Sequence, residues 1–263
     1  MNCMNCGAAV GHEDTCPHCG CDLSIQRRAV QSSNAFYNRA LDKAKVRDLS
    51  GAADLLERSL KFNKRNIAAR NLLGLIYFET GEAVSALSEW IISKNIKPTD
   101  NIACDYVEAL QSNPDDLDAV NQSVKRYNRA LEACRDSNED IAEMMLKKVV
   151  TANPRLVRAY NLLALIYMKD LQWEKARSVL KKALMIDRTN DVTLRYLKEV
   201  DEQTKKETEP ESVGLVSKVI SPERKNAFKS ALENITGRSS ARNKLVIDDE
   251  VFNDTEARIN DAD

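Results

Sequence analysis

The residues best suited to chemistry lie at the start of the chain, where five of its seven cysteines fall within the first 21 of 263 residues. Four of them form two pairs, Cys3-x-x-Cys6 and Cys16-x-x-Cys19, with nine residues between the pairs and a glycine directly after each. Thiolates at this spacing are typical ligands of a tetrahedral zinc ion. Each glycine permits the positive-φ turn with which a metal knuckle points its amides toward the sulfurs. Because four protein thiolates leave no position for water or substrate, we predict a structural site.

Disulfide formation and thiol redox chemistry are the two alternatives for these pairs. The N-terminus has no positively charged region followed by an apolar core, so we expect no export and a reducing compartment, where close cysteine pairs bind metal more often than they form disulfides. A thioredoxin-type redox pair would accompany a βαβ pattern, and the sequence has none. A segment as short as residues 1–24 cannot bury enough apolar surface to fold alone, whereas zinc would supply stability on the order of 10 kcal/mol.

Three further side chains in this segment could compete as ligands. His12 stands between the pairs, His18 lies inside the second knuckle, and Cys21 would have to displace Cys19, which has the better spacing. We predict that none of the three binds the metal. The sequence therefore predicts one structural zinc ion, held by Cys3, Cys6, Cys16 and Cys19.

Residues 1–24 resemble the short bacterial zinc ribbons that carry two CPxCG knuckles joined by a loop. Asn5 departs from that pattern, because the first knuckle often has proline there. The resemblance implies a small β-knuckle module, and such modules contact protein partners in some proteins and nucleic acid in others.

The rest of the chain contains an internal duplication. The segment Tyr37-Asn-Arg-Ala-Leu41 recurs unchanged 90 residues later, and the segment NLLGLIY at 71–77 returns at the same offset as NLLALIY. A constant offset over such distances predicts two structurally equivalent halves.

Within each half, residues 67–100 and 157–190 resemble tetratricopeptide repeats, which are helix–turn–helix units of 34 residues. Weaker copies precede them at 33–66 and 123–156. The predicted fold is therefore all-α: a tetratricopeptide-like α-solenoid of two duplicated halves, preceded by a small N-terminal zinc ribbon. The predicted boundaries are a first repeat pair with its capping helix at 33–111, a link at 112–122, and a second pair with its capping helix at 123–201.

The resemblance implies a concave groove that binds an extended or helical peptide. The positions that match the groove are Tyr37, Leu41, Asn71, Leu75 and Phe78 in the first half, and Tyr127, Leu131, Asn161, Leu165 and Met168 in the second. Two alternatives stay open for them. The apolar residues could be helix-packing core, and the two asparagines could bond neighbouring helices instead of a partner.

Residues 202–263 follow the repeats and divide into a charged linker, a short helix and an acidic tail that we expect to be disordered. Pro222 is suited to the first position of a helix at 222–236. Its apolar stripe is Ala227, Phe228, Ala231, Leu232 and Ile235. Because an isolated helix of this length is marginal, we predict that it docks on the solenoid.

Composition narrows the function. The 39 Lys and Arg residues nearly balance 40 Asp and Glu, so no strong field marks a nucleic-acid or membrane-surface protein. No apolar stretch is long enough to span a bilayer. Walker loop, dinucleotide fingerprint, serine elbow and HExxH motifs are all missing from the sequence, so we predict no enzymatic activity.

The whole arrangement resembles a group of bacterial zinc-ribbon repeat proteins, whose members often continue into a membrane-spanning helix after a polar linker. We therefore expect either a cytoplasmic protein or the cytoplasmic part of a membrane-anchored one. The leading prediction is a non-enzymatic adaptor that binds a protein or peptide through the groove, with the ribbon as a second contact module. The alternative is nucleic-acid binding by the ribbon, with the repeats assembling a complex.

Overall fold

The computed structural model describes residues 2–3, 5–112, 114–208 and 222–237. Within these ranges the chain forms eleven α-helices, and the N-terminal ribbon contains two isolated β-bridges, Asn2–Ala9 and Thr15–Asp22. The helices are α1 (Ser24–Lys45), α2 (Leu49–Phe62), α3 (Ile67–Glu79), α4 (Ala83–Ile96), α5 (Ile102–Gln111), α6 (Pro114–Arg135), α7 (Glu139–Ala152), α8 (Val157–Lys169), α9 (Trp173–Ile186), α10 (Asp191–Thr208) and α11 (Pro222–Gly237).

The duplication is visible in the helix boundaries. Each helix from α1 to α4 begins and ends 90 residues before its counterpart from α6 to α9. Helices pack in sequential pairs, α1 with α2, α3 with α4, α6 with α7 and α8 with α9, and each pair contacts the next within its half. α5 packs on α4, and α10 packs on α9. This arrangement confirms the predicted all-α solenoid of two equivalent halves.

Three helices are longer than the repeat pattern indicated. α1 begins at Ser24, directly after the ribbon, instead of near residue 33. α6 begins at Pro114, inside the predicted link 112–122, because proline is well suited to the first turn of a helix. α10 continues to Thr208, past the predicted start of the linker at 202, since no glycine or proline interrupts the chain before Pro210.

The two halves also touch at a distance of about 140 positions along the chain, where the turn before α2 meets the turn after α9. The carboxylate of Asp187 is almost fully buried and accepts hydrogen bonds from the backbone N–H groups of Leu49 (2.9 Å) and Ser50 (3.2 Å). These are the first amides of α2, which have no partner within the helix and favour a negative charge. The Arg47 guanidinium donates to the Ile186 carbonyl at 3.1 Å. One half thus caps a helix of the other.

A second contact joins the α3–α4 turn to the loop between α7 and α8. The Asn153 side chain donates to the carbonyl of Gly81 at 2.8 Å, and the Arg155 guanidinium lies 3.3 Å from the Glu79 carboxylate. Gly81 has φ of +79°, and a Cβ built on it would lie 2.6 Å from the backbone nitrogen of Leu156. The two backbones can approach this closely only because residue 81 is glycine.

A tryptophan in the first half explains a glycine inside α3. A Cβ on Gly74 would lie 2.2 Å from Nε1 of Trp90, whose indole N–H donates to the Asn71 carbonyl at 3.2 Å. The counterparts in the second half are Ala164 and Leu180, both fully buried. The first half therefore pairs the small Gly74 with the large Trp90, whereas the second half pairs Ala164 with the smaller Leu180.

We expect Gly74→Ala to lower the free energy of unfolding by about 2 kcal/mol, the usual size of an overpacking penalty. In a Trp90→Leu background, which reproduces the pair found in the second half, the same substitution should be neutral or stabilising, because alanine favours a helix over glycine. Urea denaturation of the four proteins measures this coupling. An equal loss in both backgrounds would contradict the packing described.

Candidate metal centre and partner-binding surface

The four predicted ligands come together at the N-terminus. The sulfurs of Cys3, Cys6, Cys16 and Cys19 all lie within 4.8 Å of one another. Cys3 and Cys19 are 3.7 Å apart, and Cys6 and Cys16 are 3.6 Å apart. A tetrahedral zinc ion with Zn–S bonds of about 2.3 Å requires sulfurs about 3.8 Å apart along each edge. The cluster therefore has the size of a tetrathiolate metal site, and its two short edges each join one knuckle to the other.

The two knuckles share one backbone pattern. The N–H of Gly7 donates to the Cys3 carbonyl at 2.9 Å, and the N–H of Gly20 donates to the Cys16 carbonyl at 2.8 Å. Both glycines have positive φ, 75° and 70°, as the sequence predicted. In the first knuckle the N–H of Asn5 also points at the Cys3 sulfur, at 3.4 Å. The backbone thus fixes each Cys-x-x-Cys turn and directs amides toward sulfur.

The ribbon has a very small core and is attached to the first turns of α1. Cys3 and Cys16 are buried against Val10 and Leu23. The guanidinium of Arg27, on α1, donates to the carbonyls of residues 11–13 in the loop between the knuckles. The loop is therefore held by a helix side chain, and the sulfurs are held by little besides the knuckles themselves.

Cys21 is also part of this cluster, which its spacing did not predict. Its sulfur lies 3.2 Å from that of Cys3 and 3.4 Å from that of Cys19, outside the group of four. The only signal in the sequence is the Cys19-Gly-Cys21 run, in which a tight turn keeps the second sulfur near the first. His12 and His18 are both exposed, and neither belongs to the group.

Hydrogen bonds within the cluster divide the thiols into two kinds. The side chain of Asn5 is the largest influence that lowers the pKa of Cys19 to about 5. Hydrogen bonds to Cys3 and then to Cys19 raise the pKa of Cys21 to about 12. Despite a backbone hydrogen bond from Ala8, burial and the neighbouring thiols raise the pKa of Cys6 to about 12 as well. The pKa values therefore do not separate the four predicted ligands from Cys21, and only their position in one group does.

The ten predicted groove residues occupy equivalent places in the two halves but differ in burial. In the first half all five are partly exposed, on α1 and α3: Tyr37, Leu41, Asn71, Leu75 and Phe78. In the second half all five counterparts are buried, on α6 and α8: Tyr127, Leu131, Asn161, Leu165 and Met168. The sequence predicted the same surface twice.

The second half carries an additional helix that contributes to this difference. α11 packs on α8, with the side chains of Phe228 and Leu232 buried in the same cluster as the second-half groove residues. The Lys169 ammonium lies 4.9 Å from the centre of the Phe228 ring. Docking of this helix was predicted from its apolar stripe. Within the stripe, Ala231 packs partly buried, Ala227 is exposed, and the side chain of Ile235 lies outside the described residues.

The two asparagines bond neighbouring helices. The Asn71 amide donates to the side-chain oxygen of Asn101 at 2.9 Å and accepts from the Ser93 hydroxyl at 2.5 Å. Asn161 accepts from the Thr193 hydroxyl at 2.8 Å. These bonds favour the structural alternative for both residues. Their role in partner binding stays a prediction.

We expect the double substitution Asn71→Ala plus Asn161→Ala to lower the melting temperature by several degrees, since each removal takes hydrogen bonds worth about 0.5–1.5 kcal/mol each from the contact between neighbouring helices. Asn38→Ala is the matched control, because Asn38 is an exposed asparagine on α1. Circular dichroism melting curves measure both. An unchanged melting temperature combined with loss of a bound partner would restore the binding role.

Comparison with known proteins adds little to this description. The chain matches no protein-family model and no curated protein. Among solved structures it is similar to a chain described as "MamA RS-1 ArsTM double mutant", with 16% identity over 80% of this chain and 97% of that chain, at a TM-score of 0.29. So low a TM-score supports no conclusion on fold or function. In the part of the chain that the structure describes, no helix has the length and apolar character needed to cross a bilayer.

Proposed function

We propose that this chain is a non-enzymatic adaptor that binds a protein or peptide partner on its helical array. Its ribbon is held by one structural zinc ion and forms a second contact surface, and the cytoplasm is the expected compartment. The main observation in support of the proposal is in the second half, where α11, an amphipathic helix of the chain itself, packs on α8. The equivalent surface of the first half has the same architecture and partly exposed side chains.

Zinc is the metal that best fits the ribbon. Four thiolates in a tetrahedral arrangement are typical of structural zinc, which stabilises segments too small to fold alone. Cys3, Cys6, Cys16 and Cys19 would hold the ion, because their sulfurs lie within 4.8 Å of one another and two of their separations are close to a tetrahedral edge. With all four positions filled by protein, the ion serves the fold and does not bind a substrate.

The partner surface we propose is the first half of the array. Tyr37, Leu41, Leu75 and Phe78 place partly exposed apolar side chains on α1 and α3, and all of them except Leu41 also pack against the cores of the first half. The Arg155 guanidinium lies 5.6 Å from the centre of the Phe78 ring and borders the surface at the junction of the halves. Such a surface suits an amphipathic helix whose apolar face is presented at intervals of three and four residues.

The strongly shifted groups in the array are consistent with packing. Burial raises the pKa of Cys134 to about 12, and burial likewise raises the pKa of Tyr127 to about 12. Both side chains belong to the buried core of the second half. A thiol that stays protonated is a poor nucleophile. These shifts therefore follow from desolvation and do not indicate a catalytic site.

The nucleic-acid alternative gains no support from the ribbon. Arg27, the basic residue of α1 nearest the loop, uses its guanidinium to bond loop carbonyls and pairs with Asp14 at 3.2 Å. Phosphate contacts require free basic side chains. Arg28 is exposed beside Arg27, so our preference against nucleic acid as the main partner rests on the near balance of 39 basic and 40 acidic residues, which gives no strong positive field.

The test compares immobilised variants as bait in extracts of cells that make the protein. Leu41→Arg places a charge on the proposed surface and should abolish retention of the partner, whereas Met185→Arg, at a side chain that is 78% exposed on α9, should not. Melting curves confirm that both variants are folded. If Leu41→Arg and wild-type protein retain the same partners, the first-half surface is not where they bind.

A further inference from the structure

The contact between α11 and the second half is limited. Among the α11 side chains described, residues 226–233, only Phe228 and Leu232 are buried. A cavity of 660 Å³ lies beside them, lined by residues of α11, by Cys134 and Glu139 near the α6–α7 turn, and by Lys169 of α8. This cavity is open to solvent, and the helix is seated beside it by two anchors.

The attachments of α11 that its described side chains show are mainly apolar. An isolated 16-residue helix is marginal in water, so its order depends on what it packs against. Among the described residues, the two anchors, the partly buried Ala231 and the contact between the Lys169 ammonium and the Phe228 ring attach it to the second half. Glu233 makes a further interaction. The helix is connected to α10 by residues 209–221, so that its local concentration stays high after it leaves the surface. Such a helix can exchange with another that presents the same anchors.

We propose that α11 is an exchangeable occupant of the second-half surface, and that a protein partner binds there by inserting its own amphipathic helix in place of α11. The proposal rests on the adaptor function proposed above and extends it to the second half. The partner helix carries an aromatic side chain to lie against Lys169 and a leucine four residues further on, as Phe228 and Leu232 do. While α11 is seated, this surface is closed to partners.

The aromatic requirement distinguishes the second half from the first. The counterpart of Lys169 in the first half is Glu79, which pairs with Arg47 and Arg155. Carboxylates are repelled by the negative face of an aromatic ring, whereas ammonium groups are attracted to it. The two surfaces are therefore expected to accept helices of different chemistry, and α11 is matched to the second.

The experiment uses the full chain and a fluorescein-labelled peptide of residues 222–237. Phe228→Ala plus Leu232→Ala in the full chain removes both anchors and should free the surface, so the variant should bind the peptide at least tenfold more tightly than wild-type protein does. Ala227→Ser plus Ser230→Ala, at exposed positions of the same helix, is the matched control and should behave as wild type. Fluorescence anisotropy measures each affinity.

A second pair of variants tests the aromatic contact. Lys169→Gln, added to the anchor variant, removes the ring contact together with the ion pair to Glu139 and should weaken peptide binding several-fold. Lys175→Gln should not, because Lys175 lies over Tyr167 of α8 instead of Phe228. Failure of the folded anchor variant to bind the peptide would overturn the proposal and make α11 a permanent part of the core. Equal affinity of wild type and the anchor variant would overturn it too, by placing the peptide elsewhere.

Hydrogen exchange on wild-type protein keeps the proposal testable if the anchor variant does not fold. Amides of α11 should exchange at least a hundredfold faster than those of α8, and equal protection of the two helices would contradict exchangeability. Either failure is distinguishable from failure of the adaptor function, because Leu41→Arg tests the first half separately. Loss of partners in Leu41→Arg with no peptide binding to the anchor variant would retain the adaptor and reject only the exchange of α11.

Discussion

Cys16→Ser is expected to remove the bound metal and unfold the ribbon while the helices stay intact. The Cys16 sulfur is buried and lies 3.6 Å from that of Cys6. The core around it, mainly Val10 and Leu23, is too small to replace a structural zinc ion that contributes on the order of 10 kcal/mol. Elemental analysis should show zinc falling from one ion per chain to nearly none. Amide exchange across residues 5–23 should become fast, with the far-ultraviolet circular dichroism of the helices retained.

Two serine variants serve as controls for the metal. Cys104→Ser changes a thiol on α5, far along the chain from the cluster, and should keep one zinc per chain. Cys21→Ser should also keep it, because Cys21 lies outside the group of four although its sulfur touches that of Cys3. A ribbon that stays folded after a chelator has removed the metal would refute the structural role of the ion.

Gly81→Ala is expected to give the largest loss of stability in the helical array, about 2–5 kcal/mol. The new Cβ would lie 2.6 Å from the backbone nitrogen of Leu156, and a backbone cannot move aside as a flexible side chain can. Overpacking costs about 1–3 kcal/mol, and the left-handed conformation at φ of +79° adds about 1–2 kcal/mol for a residue with a side chain. Urea denaturation should show an earlier midpoint, and the contact between the halves should be the first part to lose amide protection.

Two matched substitutions distinguish the steric clash of the added Cβ from the strain of the left-handed backbone. Leu171, the counterpart of Gly81, has φ of 62°, so the same turn in the second half accepts a residue with a side chain. Leu171→Gly would relieve that strain but also remove a side chain that packs partly buried against the second-half core, so we expect no net gain in stability. Gly11→Ala, where a Cβ would meet nothing within 4 Å, should change stability by less than about 0.5 kcal/mol. A wild-type denaturation midpoint for Gly81→Ala would mean that the halves are not in contact in solution.

The repeating part of the fold could be predicted because it depends on local sequence. A 90-residue offset in the sequence returns as a 90-residue offset in helix boundaries. The start of α6 was less predictable, because a proline both ends one helix and begins another. Pro114 was interpreted as a break after the first capping helix, and it is also the first residue of α6. The contacts between the halves, made by Asp187 and Gly81, have no local signature at all.

In the candidate sites, too, features set by local sequence were predicted, whereas features set by tertiary contacts were not. The spacing of the cysteines predicted the four sulfurs that gather, but the place of Cys21 depends on how the second knuckle folds against the first. Duplication predicted two equal grooves, yet α11 packs on only one of them. Glu79 in the first half corresponds to Lys169 in the second, and this difference in charge could have indicated which half α11 contacts. For Asn71, no pattern could reveal a partner 30 residues further along.

Site-specific photocrosslinking tests most directly whether the helical array is the partner-binding surface. A photoreactive amino acid at Leu41 places the probe on the proposed surface of the first half, and the same group at Met185 places it on an exposed side chain of α9. In cells that make the protein, crosslinks from Leu41 to a discrete protein partner, lost when Tyr37 and Leu75 are changed to serine, are the expected result. Crosslinks of equal strength and identity from Leu41 and Met185, or from neither, would contradict an adaptor that binds its partner on this surface.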